Sequence, residues 1–224
     1  MLLWKGMEVR EKGIIVEYTP KISKAKKKIK IYEIDGRNGF VSVDTGTYEP
    51  FNIQVECHFN QNANKDEICE FLDGYGTLSF DGKRQYTAVI NNAIEFEKVL
   101  MFKKFPIKFL VNPIAEDIES TLEQIISNDT TLTIDDTYSD IYPILRLECT
   151  GDISITINNK TFYLKGTDGT YTLDCKNKVI VDSNGNNASS LMLYDFPKLN
   201  KGNNQISYTG TINSFEIEYK KTYL

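Results

Sequence analysis

The sequence predicts a mainly β protein built from two domains. Runs in which apolar and polar residues alternate recur about every ten residues, with turn-forming Gly, Asn and Asp residues between them. The clearest run covers residues 51–59, where Ile53, Val55 and Cys57 alternate with polar residues. The 224 residues include 13 Tyr and 12 Phe, and this aromatic content favours strands. We therefore expect a β-sandwich or β-barrel architecture, with one short helix in the N-terminal domain.

The composition is that of an ordinary folded protein. Hydrophobic residues make up 41% of the chain and charged residues 25%, and the net charge of -5 gives no reason to expect nucleic-acid recognition. No stretch approaches the ~18 consecutive apolar residues of a membrane span. Lys5, Glu8 and Arg10 interrupt the apolar start of the chain, so we expect neither a signal peptide nor a membrane partner.

The first strands flank a lysine-rich run. The segments 14–18 and 29–34 have strand patterns, and the run between them includes Lys26, Lys27 and Lys28. A basic run in this position is typical of a solvated hairpin, or of a sheet edge protected against aggregation. A polyanion site is the alternative interpretation.

A short helix and a hairpin follow in the N-terminal domain. Asn64 can cap a helix, with Glu67 in the capping-box position, and Gly74 follows where a helix ends in a residue of positive φ. The Asp81-Gly82 pair predicts a hairpin turn, and the strand 84–90 returns from it. Residues 99–111 have the pattern of the closing strand.

The domain boundary is predicted at Asn112-Pro113, which divides the chain into domains 1–112 and 113–224. The segment 114–128 is ambiguous, because Ile118, Leu122 and Ile125 have helical spacing while the Thr-rich residues after it favour a strand. Strand patterns then continue at 145–149, 153–157, 171–175, 178–181 and 215–219.

The sequence contains no residue pattern typical of a catalytic, cofactor or metal site. His58 is the one imidazole, and strand alternation directs it to the face opposite Cys57. We find no phosphate loop, dinucleotide fingerprint or metal-ligand spacing. The cysteines Cys57, Cys69, Cys149 and Cys175 are scattered, as expected for free thiols that pack as small buried hydrophobes. We expect no catalytic residues, no cofactor and no metal site.

Three aromatic residues near loops or chain ends, Trp4, Tyr194 and Phe196, are expected to be exposed. Exposed aromatic rings bind sugars and also form contacts between subunits, and the sequence alone does not separate the two.

Landmarks along the whole chain, mostly turn and aromatic residues, resemble those of the distal tail protein family of phages and prophage-derived tail particles of Gram-positive bacteria. In the N-terminal half they are Gly36-Arg37-Asn38-Gly39, the stretch 71–80, Tyr86-Thr87-Ala88 and the stretch 109–113. In the C-terminal half they are Tyr142-Pro143-Ile144, Gly151-Asp152-Ile153, Leu173-Asp174-Cys175, Phe196-Pro197 with Leu199, and Gly202, Asn204, Ile206 and Gly210.

The resemblance implies a tail-tube-related N-terminal domain, a galectin-like C-terminal β-sandwich and a non-enzymatic structural role. Such a protein forms a homo-oligomeric, hexameric ring that joins the tail tube to the baseplate or tail tip. The implied partners are the tail tube protein, a tail-associated lysin or hub protein, and other baseplate or receptor-binding proteins. The implied location is the virion or a tail-like particle, assembled in the bacterial cytoplasm.

The candidate interface residues for this role are charged, amide or aromatic side chains in predicted loops and edges: Lys26, Lys27, Lys28, Arg37, Asn38, Tyr194 and Phe196. The alternative function is a carbohydrate-binding, lectin-like module of the tail tip that recognises cell-wall glycan. A cell-wall enzyme is a third hypothesis, which would require a pair of carboxylates across a cleft.

Overall fold

The computed structural model describes residues 1–36, 38–60, 63–94, 105–138 and 140–224. The chain divides into an N-terminal unit, Met1–Ile118 with Leu224, and a C-terminal unit, Glu119–Tyr223. The expected boundary after residue 112 falls inside a continuous strand, Phe105–Asp117. Alternating burial continues along this strand as far as Ala115. Pro113 lies where the register with the neighbouring strand shifts, and a missing N–H is tolerated at such a bulge.

The N-terminal unit is an antiparallel sheet with a separate two-stranded hairpin. The sheet order is β2-β1-β7-β8-β9-β6-β3, and β4 pairs with β5. The strands are β1 (Leu3–Trp4), β2 (Met7–Glu8), β3 (Ile14–Val16), β4 (Lys27–Glu33), β5 (Phe40–Tyr48), β6 (Phe51–Phe59), β7 (Tyr75–Ser79), β8 (Arg84–Ile90) and β9 (Phe105–Asp117). The predicted closing strand is confirmed from residue 105; its residues 99–104 lie outside the described part of the chain.

The inward-facing side chains of β6 form the centre of the N-terminal core. Ile53, Val55 and Cys57 are buried, as the sequence predicts, and they pack opposite the inward residues of β9. Trp4 was expected to be exposed, and that expectation is wrong, because the pairing of β1 with β7 places its ring in the core. Its Nε1 donates a 3.0 Å hydrogen bond to the carbonyl oxygen of Phe71, and this bond satisfies the indole's buried polar atom.

The predicted helix is confirmed as α1 (Lys65–Leu72). The side chain of Asn64 accepts a hydrogen bond from the backbone N–H of Asp66, which confirms Asn64 as the cap. Glu67 accepts a hydrogen bond from the side-chain amide of Asn64 and not from its backbone N–H, so it contacts the cap without completing the box. Ile68 and Leu72 face the core. Gly74 follows the helix with φ +76°, as its place in the sequence predicts.

The C-terminal unit is a sheet of long, bent strands in the order β10-β16-β12-β13-β14, with β11 paired to β16 and β15 paired to β13. The strands are β10 (Thr121–Gln124), β11 (Asp129–Ile134), β12 (Ile144–Ile157), β13 (Lys160–Asp174), β14 (Val179–Asp182), β15 (Met192–Leu193) and β16 (Gly202–Tyr219); β17 (Thr222–Tyr223) ends the unit.

Bends in the long strands let one sheet enclose a core. The register between β12 and β13 shifts between Gly151 and Ile153, and Gly151 has φ +80°. The two halves of β12 therefore bury separate sets of side chains, such as Leu145 and Leu147 before the bend and Ile155 after it, in a single hydrophobic cluster.

The ambiguous segment 114–128 is extended and not helical. Residues up to 117 belong to β9, and β10 pairs with β16. A helix would have placed Leu122, Ile125 and Ile126 on one face, but only Ile125 is buried and Ile126 is 89% exposed. Pairing with β16 satisfies the backbone of this segment, and tertiary contacts of this kind override local spacing.

All four cysteines are free thiols. Cys57, Cys149 and Cys175 are buried in the two cores, as expected, whereas Cys69 is exposed on α1 and departs from the expectation. Burial raises the pKa of Cys57 and of Cys175 to about 12, and it also raises the pKa of Cys149.

We predict that iodoacetamide modifies the folded protein at Cys69 alone, because the buried thiols are both inaccessible and protonated at mildly alkaline pH. Mass spectrometry should show one adduct on the native chain and four after unfolding in guanidinium. A Cys69→Ser variant should show none while folded. Rapid modification of Cys57 or Cys175 in the native protein would contradict the packing of the cores.

We predict that Gly210→Ala destabilises the C-terminal unit by roughly 2–5 kcal/mol, since it combines a strained backbone with a steric clash. Gly210 has φ +97°, and an added Cβ would lie 2.6 Å from the carbonyl oxygen of Asp152. Gly202→Ala is the matched control on the same strand, with φ +88° and open space, and should lose about 1–2 kcal/mol. Urea unfolding followed by far-ultraviolet circular dichroism measures both, and equal losses would show that the clash is absent.

Candidate interaction surfaces

The β4–β5 hairpin pairs with itself and does not join the main sheet of the N-terminal unit. Ile31 lies opposite Ser42, and Tyr32 lies opposite Val41. Directly opposed residues of an antiparallel pair share a face, so this register assigns every side chain of the hairpin to one of two faces.

Both faces of the hairpin carry exposed apolar side chains. Ile29, Ile31 and Phe40 belong to one face, and Phe40 is 64% exposed. Tyr32, Val41 and Val43 belong to the other, and each is at least 40% exposed. An isolated two-stranded hairpin is marginally stable in water, and apolar residues on both faces are typical of strands that are covered on both sides. We refer to these six residues as the hairpin apolar surface.

The predicted lysines lie at the base of the hairpin and are exposed. Lys26 Nζ is 3.5 Å from Glu49 Oε2, and Lys27 forms an ion pair with Asp44. The hydrogen bond from Lys27 lowers the pKa of the Asp44 carboxyl group, and the hydrogen bond to Asp44 raises the pKa of Lys27. The side chain of Lys28 is exposed, and Asn38 is exposed in the turn of the hairpin. Arg37 lies outside the described residues.

The two ends of the N-terminal sheet are β2 and β3. Each is paired along one edge within the described chain, so its other main-chain edge is available to a neighbouring strand. A cavity of about 400 Å³ is lined by Leu2, Glu8 and Val9 from one end of the sheet and by Ile14 and Val16 from the other. The sheet therefore curls until its ends face each other across this cavity without closing.

The predicted aromatic residues of the C-terminal unit have different environments. Tyr194 is 76% exposed and has φ +79°, a conformation that costs a bulky residue roughly 1–2 kcal/mol. Phe196 is half-buried and packs against the core. Of the candidate residues that the structure describes, Lys26, Lys27, Lys28 and Asn38 belong to the N-terminal unit and the two aromatics belong to the C-terminal unit.

Sequence reasoning missed Tyr163, whose ring centroid is 5.7 Å from that of Tyr194. The outward direction of the Tyr163 side chain could be inferred from strand alternation, because its neighbours Phe162 and Leu164 are apolar and buried. Its proximity to Tyr194 was not readable, because it depends on the pairing of β13 with β15.

Chemically reactive groups do not converge in the described residues. His58 Nδ1 lies 2.6 Å from Glu17 Oε1, while Cys57 is buried on the other side of β6. The raised pKa of Cys57 keeps this thiol protonated at neutral pH. Within the described ranges, no group of three or more His, Cys, Asp or Glu side chains could hold a metal ion. None of the helices among these residues is both long and apolar enough to cross a membrane.

Comparison with known proteins finds a solved structure with a similar fold over the whole chain. No protein-family model matches the chain, and no curated protein matches it. Among solved structures, the crystal structure of the SPP1 Dit protein (gp 19.1) aligns with a TM-score of 0.78 over 100% of this chain and 98% of that chain, at 12% sequence identity. That protein is described as a paradigm of the hub adsorption apparatus in phages that infect Gram-positive bacteria. The chain therefore has a mainly β, Dit-like fold along its whole length, and the predicted mainly β fold class is confirmed.

Proposed function

We propose that this protein is a non-enzymatic structural subunit of a phage-type tail, which assembles as a hexameric ring and connects the tail tube to the baseplate or tail tip. The observation that carries the proposal is the agreement in fold with a hub protein across both units. Likeness over the full length matters because a hub must present one surface to the tube and another to the adsorption apparatus.

The hairpin apolar surface supports assembly with further copies of the chain. Fully burying one Ile or Phe side chain contributes about 1.5–3 kcal/mol, so covering several of the six residues is a substantial driving force. The exposed ion pairs of Lys26 and Lys27 contribute much less and mainly orient the approach of a partner.

A closed ring requires contacts in which one surface of a subunit meets a different surface of its neighbour. The N-terminal unit offers two kinds of surface for this purpose, the hairpin and the free edges of β2 and β3. A neighbouring strand can extend the sheet at a free edge through main-chain hydrogen bonds. We propose that the ring forms through these elements, with Lys26, Lys27, Lys28, Arg37 and Asn38 near the contact.

The partners that follow from this role are the tail tube protein on one side of the ring, and a tail-associated lysin and receptor-binding or baseplate proteins on the other. The protein would then be located in a virion or a prophage-derived tail-like particle.

The direct test is the mass of the purified protein, by light scattering combined with negative-stain images. We expect a particle of about 154 kDa, six times the 25.6 kDa of one chain, with a central hole. If the isolated chain is monomeric, immunogold labelling of intact tails decides the question. A chain that forms no rings and is absent from tail tips would disprove the proposal.

We predict that Ile31→Asp weakens assembly by about 30-fold for each contact, because a charge within a buried apolar interface costs about 2 kcal/mol or more. Ile126→Asp is the matched control, since it introduces the same change at an exposed isoleucine of the C-terminal unit. Sedimentation velocity over a concentration series measures the ring fraction. Both variants should keep the monomer's unfolding midpoint, because both isoleucines are exposed. Equal assembly of the two variants would remove the hairpin from the interface.

A further inference from the structure

One outward face of the C-terminal unit is lined by uncharged polar side chains. The register of β11, β16, β12 and β13 aligns these residues on the side opposite the buried Ile155, Phe162 and Ile206. Charged residues border this face, such as Asp129 opposite Ser207 and Lys165 two residues after Tyr163. Between them lie nine uncharged residues that are all exposed or half-exposed: Thr131, Thr133, Asn203, Gln205, Ser207, Thr209, Ser154, Thr156 and Thr161. We refer to these nine residues as the neutral face.

Two pairs of hydroxyl groups on this face are joined by hydrogen bonds. Ser154 Oγ lies 2.7 Å from Thr209 Oγ1, and Thr156 Oγ1 lies 2.8 Å from Thr161 Oγ1. Each hydroxyl can donate one hydrogen bond and accept two, so a pair that shares one bond keeps further capacity for a ligand. The face therefore presents donors and acceptors held in register by the strands.

The neutral face ends at two tyrosine rings. Tyr163 lies opposite Ser154 on one side and opposite Leu193 on the other, and the ring of Tyr194 is tilted by 51° to that of Tyr163. Tyr194 is held exposed by a left-handed backbone that opposes its intrinsic preference. Strained residues of this kind persist where the surrounding structure enforces them, often at binding sites.

An ion pair lies beside the rings. Lys178 Nζ is 2.9 Å from Asp195 Oδ1, and Asp195 follows Tyr194 directly in the chain. The hydrogen bond from Lys178 lowers the pKa of the Asp195 carboxyl group, so this side chain is an ionised acceptor at neutral pH. Lys160 also acts on this carboxylate, so the rim of the site combines one acidic and two basic side chains.

We propose that the neutral face and the Tyr163–Tyr194 pair form a binding site for a neutral oligosaccharide. A pyranose ring has apolar C–H faces that pack on aromatic rings, and its equatorial hydroxyl groups match a row of Ser, Thr and amide side chains. A protein partner is disfavoured by this chemistry, because protein interfaces are depleted in Ser and centred on apolar residues. An anionic ligand is disfavoured because the charges that border the face include both a carboxylate, Asp129, and an ammonium group, Lys165, and therefore give it no excess of cations. The site depends on the C-terminal unit alone, so its failure would leave the tail-hub proposal untouched.

The test is saturation-transfer NMR on the full chain with three neutral probes: lactose, maltotriose and the N-acetylglucosamine trimer. Sialyllactose is the charged comparator, because it adds a carboxylate to lactose. We expect at least one neutral probe to bind, with affinity reduced about ten-fold or more by Tyr194→Gly and also reduced by Tyr163→Ala.

Tyr194→Gly is the decisive variant, since glycine adopts φ +79° without strain and the loop keeps its conformation. Its unfolding midpoint should therefore not fall, and this separates a binding role of the ring from a structural one. Tyr75→Ala is the matched control, because Tyr75 is 78% exposed but belongs to the N-terminal unit. The proposal is overturned if no neutral probe binds, if Tyr194→Gly binds as tightly as the unmodified chain, or if sialyllactose is preferred.

Discussion

Each unit of this protein depends on one antiparallel strand pair between segments that are far apart in the chain. In the N-terminal unit β6 pairs with β9, so Ile53 lies opposite Phe109 and Val55 opposite Ile107. In the C-terminal unit β12 pairs with β16 through a register that shifts at the bend. The inward side chains of these pairs are almost completely buried. The other strands of the two main sheets satisfy their main-chain hydrogen bonds by extending these sheets, whereas β4 and β5 pair only with each other.

Strand pairing also distinguishes the β4–β5 hairpin, which we propose as a surface for assembly. Its strands have the alternation of core strands, but they do not join the main sheet, and within the described chain no second layer shields their apolar residues. Apolar surface in a hairpin of this kind is a liability unless a partner covers it. In the ring that we propose, the hairpin and the free edges of the curled sheet are the two unlike surfaces that meet between neighbouring subunits.

The two units thus present different chemistry. The N-terminal unit exposes aliphatic and lysine side chains on its hairpin, which suit contacts between copies of the chain. The C-terminal unit exposes a neutral polar face that ends in two tyrosines. An apolar surface gains free energy by excluding water, whereas a row of hydroxyl groups gains specificity by replacing water with matched hydrogen bonds. The proposed assembly surface and the proposed ligand site therefore belong to different units of the chain.

The sequence by itself determined the fold class, the β6 alternation, the capped helix at Asn64 and the Asp81-Gly82 hairpin. These features depend on residues close together in the chain, where period and turn chemistry are decisive. Only the tertiary structure decided that Trp4 is buried, that the strand β9 runs through Pro113, and that the segment after Ile118 pairs with β16 instead of forming a helix. It also brought Tyr163 to Tyr194 and left Phe196 against the core. Strand pairing between distant segments creates these contacts, and local periodicity shows which face a side chain occupies but not which strand lies beside it.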